Sequence, residues 1–375
     1  MILQSDFNKF LQEIRPTKPM RDQLISGHKT LRDRLNADED LKPIMVSDFL
    51  QGSYRRHTAV RPKGDKRSDV DLIIVTKLDE TEYTPKKAMD LFEPFLNKHY
   101  NGKWRPQGRS FGIEMSCVDL DIVPTSAPAK QEYGILQSDA VTSDDDIFEA
   151  RDWRLHQSWL ALHNRSRIDA NLLLDQAASE AEWQAKPLRI PDRDADEWDD
   201  THPLEQIRWT RDKNLRCNRH FVNVVKCIKW WRLEHYAAPA HPKGFPLERL
   251  IGEHCPDGIE SVSEGVVKTL EAIVSSYSFL VLIENKPTLP DYGVPSHDVF
   301  KRITREDFCT FYDQVKTGAD LSRRAFDSED RTESGNLWRE MFGSKFPEPP
   351  NNGSGKKGGF TPPTDPATPG TGRFA

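Results

Sequence analysis

Two short runs of aliphatic residues carry carboxylates at alternate positions, and that pattern narrows the fold more than any other feature of the chain. In the first, Asp69 and Asp71 flank Val70 ahead of Leu72-Ile73-Ile74-Val75. In the second, Asp119 and Asp121 alternate with Val118, Leu120 and Ile122 before Val123-Pro124. Side chains alternate across a strand, so each run puts its acids on one face and its aliphatic residues on the other. Val70 to Val75 is therefore expected as one strand. Ile113 to Val123 is expected as another, with Met115, Cys117, Asp119 and Asp121 on a common face. Like charges on an apolar strand repel one another and resist dehydration. A shared cation removes both costs; a purely structural role leaves the acids unexplained.

Hard divalent cations take oxygen ligands, so Asp is the residue type such a site needs. A pair of ions held by bridging carboxylates serves phosphoryl-type transfer: one lowers the pKa of an attacking hydroxyl while the other binds the leaving phosphates. A short apolar stretch, Val46 to Leu50, runs into Gln51-Gly52-Ser53. A flexible turn with a hydroxyl directly after a strand can offer N–H groups to phosphate oxygens. Taken singly, a Gly-Ser is usually only a turn, and Asp-x-Asp pairs often sit on solvated strand ends. Their order along the chain, on strands, is what makes them a site.

Around this block the pattern is mixed. Residues 5–42 are expected as helix, from apolar positions at Phe7, Phe10, Leu11, Ile14, Leu24, Leu31 and Leu35, and residues 85–98 as another. Further on, 150–180, 203–236, 246–253, 261–285 and 305–317 favour helix, with the very acidic Asp192 to Asp200 read as a solvated loop. From Pro347 the chain is too rich in Pro, Gly, Ser and Thr to pack, a disordered tail. The expected organisation is an α/β core with a mixed sheet over 1–165, a helical domain over 166–346, and the tail 347–375.

The helical half offers its own cations. Within Arg219 to Arg232, Phe221, Val224, Ile228 and Trp231 fall on one helix face, and Lys226 and Lys229, three apart, project from neighbouring positions. On spacing alone these are two solvated lysines. Gln107, Arg109 and Ser110, ahead of the Asp121 strand, either face a base or a phosphate or form a surface loop. The adjacent His254 and Cys255 read as a satisfied surface His beside a buried Cys rather than half a zinc site.

A net charge of −6 disfavours broad binding to duplex nucleic acid, which relies on a basic face, but leaves room for a small anionic substrate. No apolar run is expected to approach the ~18 residues of a membrane span, and nothing resembles a secretory signal, so the cytosol is the expected compartment. Five scattered cysteines without a C-x-x-C pair read as reduced thiols.

The motifs QGSYRR, SDVDLIIV and VDLDIVP together resemble the DNA-polymerase-β-type nucleotidyltransferases. More narrowly they resemble the bacterial cyclic GMP–AMP synthase and oligoadenylate synthase branch, the CD-NTase family, over most of residues 1–345. The resemblance implies a polymerase-β-type core closed by a C-terminal helical domain, two Mg²⁺ ions, and condensation of ATP and GTP into an adenine-rich cyclic di- or trinucleotide for anti-phage signalling. Linear or RNA tail addition and a catalytically dead nucleotide sensor are the alternatives. By the same resemblance Asp69, Asp71 and Asp121 match the catalytic, metal-binding triad, and Gly52 and Ser53, with Gln51 before them, match the triphosphate turn. Lys229, the Lys before Trp, matches a phosphate-contacting lysine. Where relatives carry a Ser that touches phosphate this chain has Gly244, with Lys243 before it as the candidate, and Arg109 completes the nucleotide-binding set. The loop between Ser53 and Asp69 is long, and Asp119 is an extra acid beside the triad. The tail resembles ubiquitin-like C-termini, which implies conjugation through Ala375 by an E1–E2-like ligase.

Overall fold

The computed structural model describes residues 1–64, 66–116, 118–127, 129–137 and 186–350. The expected helix at 150–180, the boundary at 165, Cys117 and the tail beyond 350 with Ala375 lie outside the described residues.

The N-terminal helical stretch is two helices, α1 (Gln4–Ile14) and α2 (Lys18–Ala37). Pro16 cannot continue α1, and the Thr17 side chain caps α2 by accepting from the Met20 N–H. The chain then enters β1 (Met45–Gln51), turns through the short helix α3 (Gly52–Arg55) and forms β2 (Ser68–Thr76). The helix expected at 85–98 is likewise split, into α4 (Pro85–Asp90) and α5 (Glu93–Tyr100).

Next come β3 (Trp104–Pro106), β4 (Phe111–Glu114) and β5 (Val118–Ser126). The single strand expected over 113–123 is thus a hairpin: the Met115 N–H bonds the Val118 carbonyl at 3.0 Å, reversing the chain and pairing Glu114 with Asp119. Only the β5 half of the expected parity applies, and there it holds, with Val118, Leu120 and Ile122 buried and Asp119 and Asp121 half-buried on the other face.

After α6 (Tyr133–Leu136), the acidic segment forms β6 (Leu188–Asp192) and β7 (Glu197–Thr201) rather than a solvated loop. Three of its carboxylates are paired or bonded. Asp192 accepts from the Asp194 and Ala195 N–H groups in the turn, Arg109 spans Asp192 and Asp199, and Arg189 holds Asp200.

The sheet runs β1-β2-β5-β4-β3, with β6 pairing β5 near Ser126 and β7 outside it. β2 and β5 are parallel, in the register Asp69↔Asp119 and Asp71↔Asp121, while β1 and β4 flank them antiparallel. This is a mixed sheet. One face buries Val70, Leu72, Ile74, Val118, Leu120 and Ile122 against α2 and α5.

The helical half holds α7 (Pro203–Arg216), α8 (Phe221–His235), α9 (Phe245–His254), α10 (Val262–Leu282), α11 (Arg305–Asp327) and α12 (Arg331–Phe342). The helix expected over 203–236 breaks where Asn218 and Arg219 take left-handed φ of 52° and 66°. α8 is apolar nearly all round: Phe221, Val224, Ile228 and Trp231 are buried, and so are Val222, Val225, Cys227 and Trp230. α1 packs here, its Phe7 and Phe10 against Trp338, Phe342 and Phe346. α10, with 21 residues, has the length and composition of a membrane span, and 33% of its most apolar stretch is buried in the protein. That corrects the expectation that no run approaches such a length; Glu264, Lys268 and Glu271 interrupt it and mask the pattern.

Candidate active site

Between the sheet and α8–α9 lies a cavity of about 730 Å³. Gln51, Gly52, Ser53, Asp69, Asp71, Arg109 and Lys229 all line it. Segments far apart in sequence are joined there by the register of β2 and by the packing of α8.

The glycine of the turn is required twice over. Gly52 has φ +74°, in the left-handed region, and a Cβ there would lie 1.9 Å from the Asp71 Oδ2. The turn thus rests directly on one carboxylate of the acidic face. On the neighbouring strand Gly112 faces Asp121 across the β4–β5 ladder, and a Cβ there would meet Asp121 Oδ1 at 3.2 Å. Gln107 reaches the same oxygen at 3.5 Å and accepts a hydrogen bond from Ser110.

Asp69, Asp71 and Asp121 stand on one face of two hydrogen-bonded parallel strands. Among the described residues no group of three or more His, Cys, Asp or Glu side chains is drawn together closely enough to hold a metal ion as it stands. The three acids form an open edge instead, and their electrostatics carry the test of fit. Burial, then Asp69 and Asp121, push the Asp71 carboxyl up to about 7; burial, then Asp69, push Asp121 up to about 6. Burial and mutual repulsion raise both carboxyls even though Arg56 acts on Asp71 and Arg105 on Asp121, and an all-oxygen donor set of this kind fits a hard divalent ion. Asp119, the extra acid, is occupied differently: the Arg67 guanidinium bonds it at 3.0 Å.

In the same cavity Lys229 donates to the Thr58 carbonyl and to Glu248 Oε1, both at 3.0 Å, and Arg56 Nε donates to Glu248 Oε2 at 3.0 Å. Burial pushes the Glu248 carboxyl upward, but Arg56 and Lys229 outweigh it and hold it down at about 2. Arg56 and Glu248 were not singled out from the sequence. In the sequence Arg56 is only the last residue of QGSYRR, and nothing in FPLERLIGEH signals that Glu248 is buried against residues 192 and 19 positions away.

Of the remaining candidates, Lys243 is exposed and outside the cavity lining, whereas Gly244 beside it lines the cavity at the start of α9. Arg109 is clamped by Asp192 and Asp199 at 2.7 and 2.9 Å, so its guanidinium ties the β6–β7 hairpin to the cavity wall. Lys226 is buried within the helical core. The long loop between Ser53 and Asp69 lies against the helical half: the Arg61 N–H bonds the Ile14 carbonyl, and Lys63 pairs with Glu234 at 2.5 Å.

The Second Messenger Oligonucleotide or Dinucleotide Synthetase domain matches residues 1–142. The chain is 48% identical, over the full length of both, to a probable cyclic AMP-AMP-GMP nucleotide synthase of Salmonella paratyphi B. It is 47% identical, again over both full lengths, to a cyclic AMP-AMP-GMP synthase of Enterobacter hormaechei. Its fold resembles that of the CD-NTase CdnG of Bradyrhizobium diazoefficiens in complex with GTP, with a TM-score of 0.64 at 12% identity over 90% of this chain and 95% of that one.

Proposed function

The chain belongs to the CD-NTase family of cyclic-oligonucleotide synthases, and from that premise we propose that it joins two ATP and one GTP into a cyclic trinucleotide with divalent cations as cofactor. The observation that carries the reading is the β2–β5 register, which sets Asp71 beside Asp121 and Asp69 two residues along the same face, with Asp69 and Asp71 lining the same cavity as Arg56 and Lys229.

In this reading the Ser53 hydroxyl and the N–H groups of the Gly52 turn bind the phosphate tail of the donor nucleotide. Lys229 and Arg56 neutralise its charge within the same cavity, and the start of α9 at Gly244, with Lys243 nearby, adds a favourable helix end. Asp69, Asp71 and Asp121 hold the divalent cations, for which we propose two Mg²⁺. Bound there, they would lower the pKa of the attacking hydroxyl and neutralise charge on the leaving pyrophosphate. Gln107 orients the Asp121 carboxylate, and Gly112 leaves room for it. In each step a ribose hydroxyl of one nucleotide forms a bond to the α-phosphorus of the next, and the bond to the β-phosphate breaks, releasing pyrophosphate. Positioning and charge stabilisation supply most of the acceleration in such chemistry.

The purified protein is incubated with ATP, GTP and Mg²⁺, treated with phosphatase and analysed by mass spectrometry. The expected product resists phosphatase and has the mass of a ring with two adenylates and one guanylate. A linear product or none refutes the reading, and a ring of other composition refutes the base assignment. The setting we propose is the bacterial cytosol, with the product as a second messenger in defence against phage. A host carrying the active protein with its neighbouring genes should resist infection in a plaque assay, and the Asp69→Asn/Asp71→Asn variant should not.

A further inference from the structure

Glu248 is a buried anion set among the cations of a site that must accept a polyanion. Its side chain is 6% exposed, that of Arg56 4% and that of Lys229 13%. Both carboxylate oxygens are engaged, Oε2 by Arg56 and Oε1 by Lys229, each at 3.0 Å. All three residues line the same cavity as Gly52 and Ser53. A carboxylate so placed weakens the pull of the two cations on any phosphate chain while fixing the spacing between them.

We propose that Glu248 is a positioning residue that serves as the internal counter-anion of the phosphate site, holding Arg56 and Lys229 poised and limiting their affinity for triphosphate and pyrophosphate. This rests on the assignment of Lys229 to the phosphate tail. With Glu248 in place the local charge of the three groups is +1; without it, +2, and pyrophosphate would be retained after each bond is made. The carboxylate therefore trades affinity for release of the product. A carboxylate that merely braced the fold would lower melting temperature when neutralised but would not strengthen binding of a polyanion.

The test measures binding of inorganic tripolyphosphate by calorimetry in EDTA, so that only the protein's own groups are read. Glu248→Gln should tighten binding roughly tenfold, the effect of removing one unit of repulsion several ångströms away in a medium of intermediate dielectric. Arg56→Gln, which leaves a local charge of zero, should weaken it about tenfold. The Arg56→Gln/Glu248→Gln pair restores +1 and should return to within about threefold of wild type. Unchanged or weaker binding by Glu248→Gln overturns the proposal. If that variant fails to fold, equal weakness of Arg56→Gln and the double variant overturns it instead. Wild-type affinity in Lys229→Ala would remove the phosphate assignment itself, an outcome distinct from failure of the Glu248 exchange alone.

Discussion

Replacing Gly52 with Ala tests the coupling between the turn and the acidic face in a single methyl group. The new Cβ would lie 1.9 Å from Asp71 Oδ2 and 3.0 Å from its Cγ, where non-bonded carbon seldom comes closer than 3.0 Å. Either the carboxylate or the turn must therefore retreat by about 1 Å. Holding an L residue at the observed left-handed φ adds about 1–2 kcal/mol of backbone strain. In stability that corresponds to a fall in melting temperature of only a few degrees for a chain of this size. In catalysis the loss should be far larger, because misplacing a reacting group by 1 Å costs on the order of 100-fold in rate. The assay pairs pyrophosphate release under saturating ATP and GTP with a thermal melt of the same preparation. A drop of about 100-fold in turnover with the melt nearly intact is expected. Turnover within threefold of wild type, with the variant folded, would mean that Asp71 is not part of the reacting geometry.

Asp69→Asn/Asp71→Asn keeps shape and removes charge, so turnover should fall by about 10³-fold or more while the protein stays folded by circular dichroism. Lys229→Ala should raise KM for ATP, whereas Lys226→Ala, buried in the helical core, should lower the melting temperature and leave KM alone; a KM raised by Lys226→Ala and unchanged by Lys229→Ala would exchange their assignments. The pH dependence follows from Asp71, whose folded pKa of about 7 lies above its unfolded value: ionising it as pH rises through 7 costs the metal-free fold stability. In EDTA, Asp71→Asn should melt above wild type at pH 8, with the gap narrowing as pH falls below 7 and closing only below the unfolded carboxyl's 3.8; a gap independent of pH would refute the raised pKa.

The acidic strands were legible because their signal is local: alternation within β2 and β5 alone tells which face each carboxylate takes. The same parity misled at Ile113 to Val123, where pattern has no means to register a chain reversal made by one hydrogen bond from Met115 to Val118. The acidic β6–β7 hairpin was read as loop because its charges look solvated until Arg109, more than eighty residues earlier, is placed between Asp192 and Asp199. Glu248 was invisible for the same reason. Burial of a charge is a property of its partners, and the partner Arg56 is 192 residues away. Gly52 could be picked out as a turn, but its contact with Asp71 is a consequence of the antiparallel pairing of Gln51 with Asp71.

The seating of α1 has a consequence for the order in which the protein can be assembled. Its Phe7 and Phe10 find their rings on Trp338, Phe342 and Phe346, partners made more than three hundred residues later during synthesis. On a ribosome the nucleotidyltransferase sheet can form from its own strands while α1 still waits with an uncovered aromatic stripe. A nascent chain of that length exposes a surface prone to association, and a fragment ending before α12 keeps it permanently. The cavity wall is subject to the same delay, since Arg61 is tied to the carbonyls of Ile14 and Arg15 at the end of α1. α12 is the last of the described helices to be made, so the cavity wall gains its support from a fully seated α1 only late in synthesis.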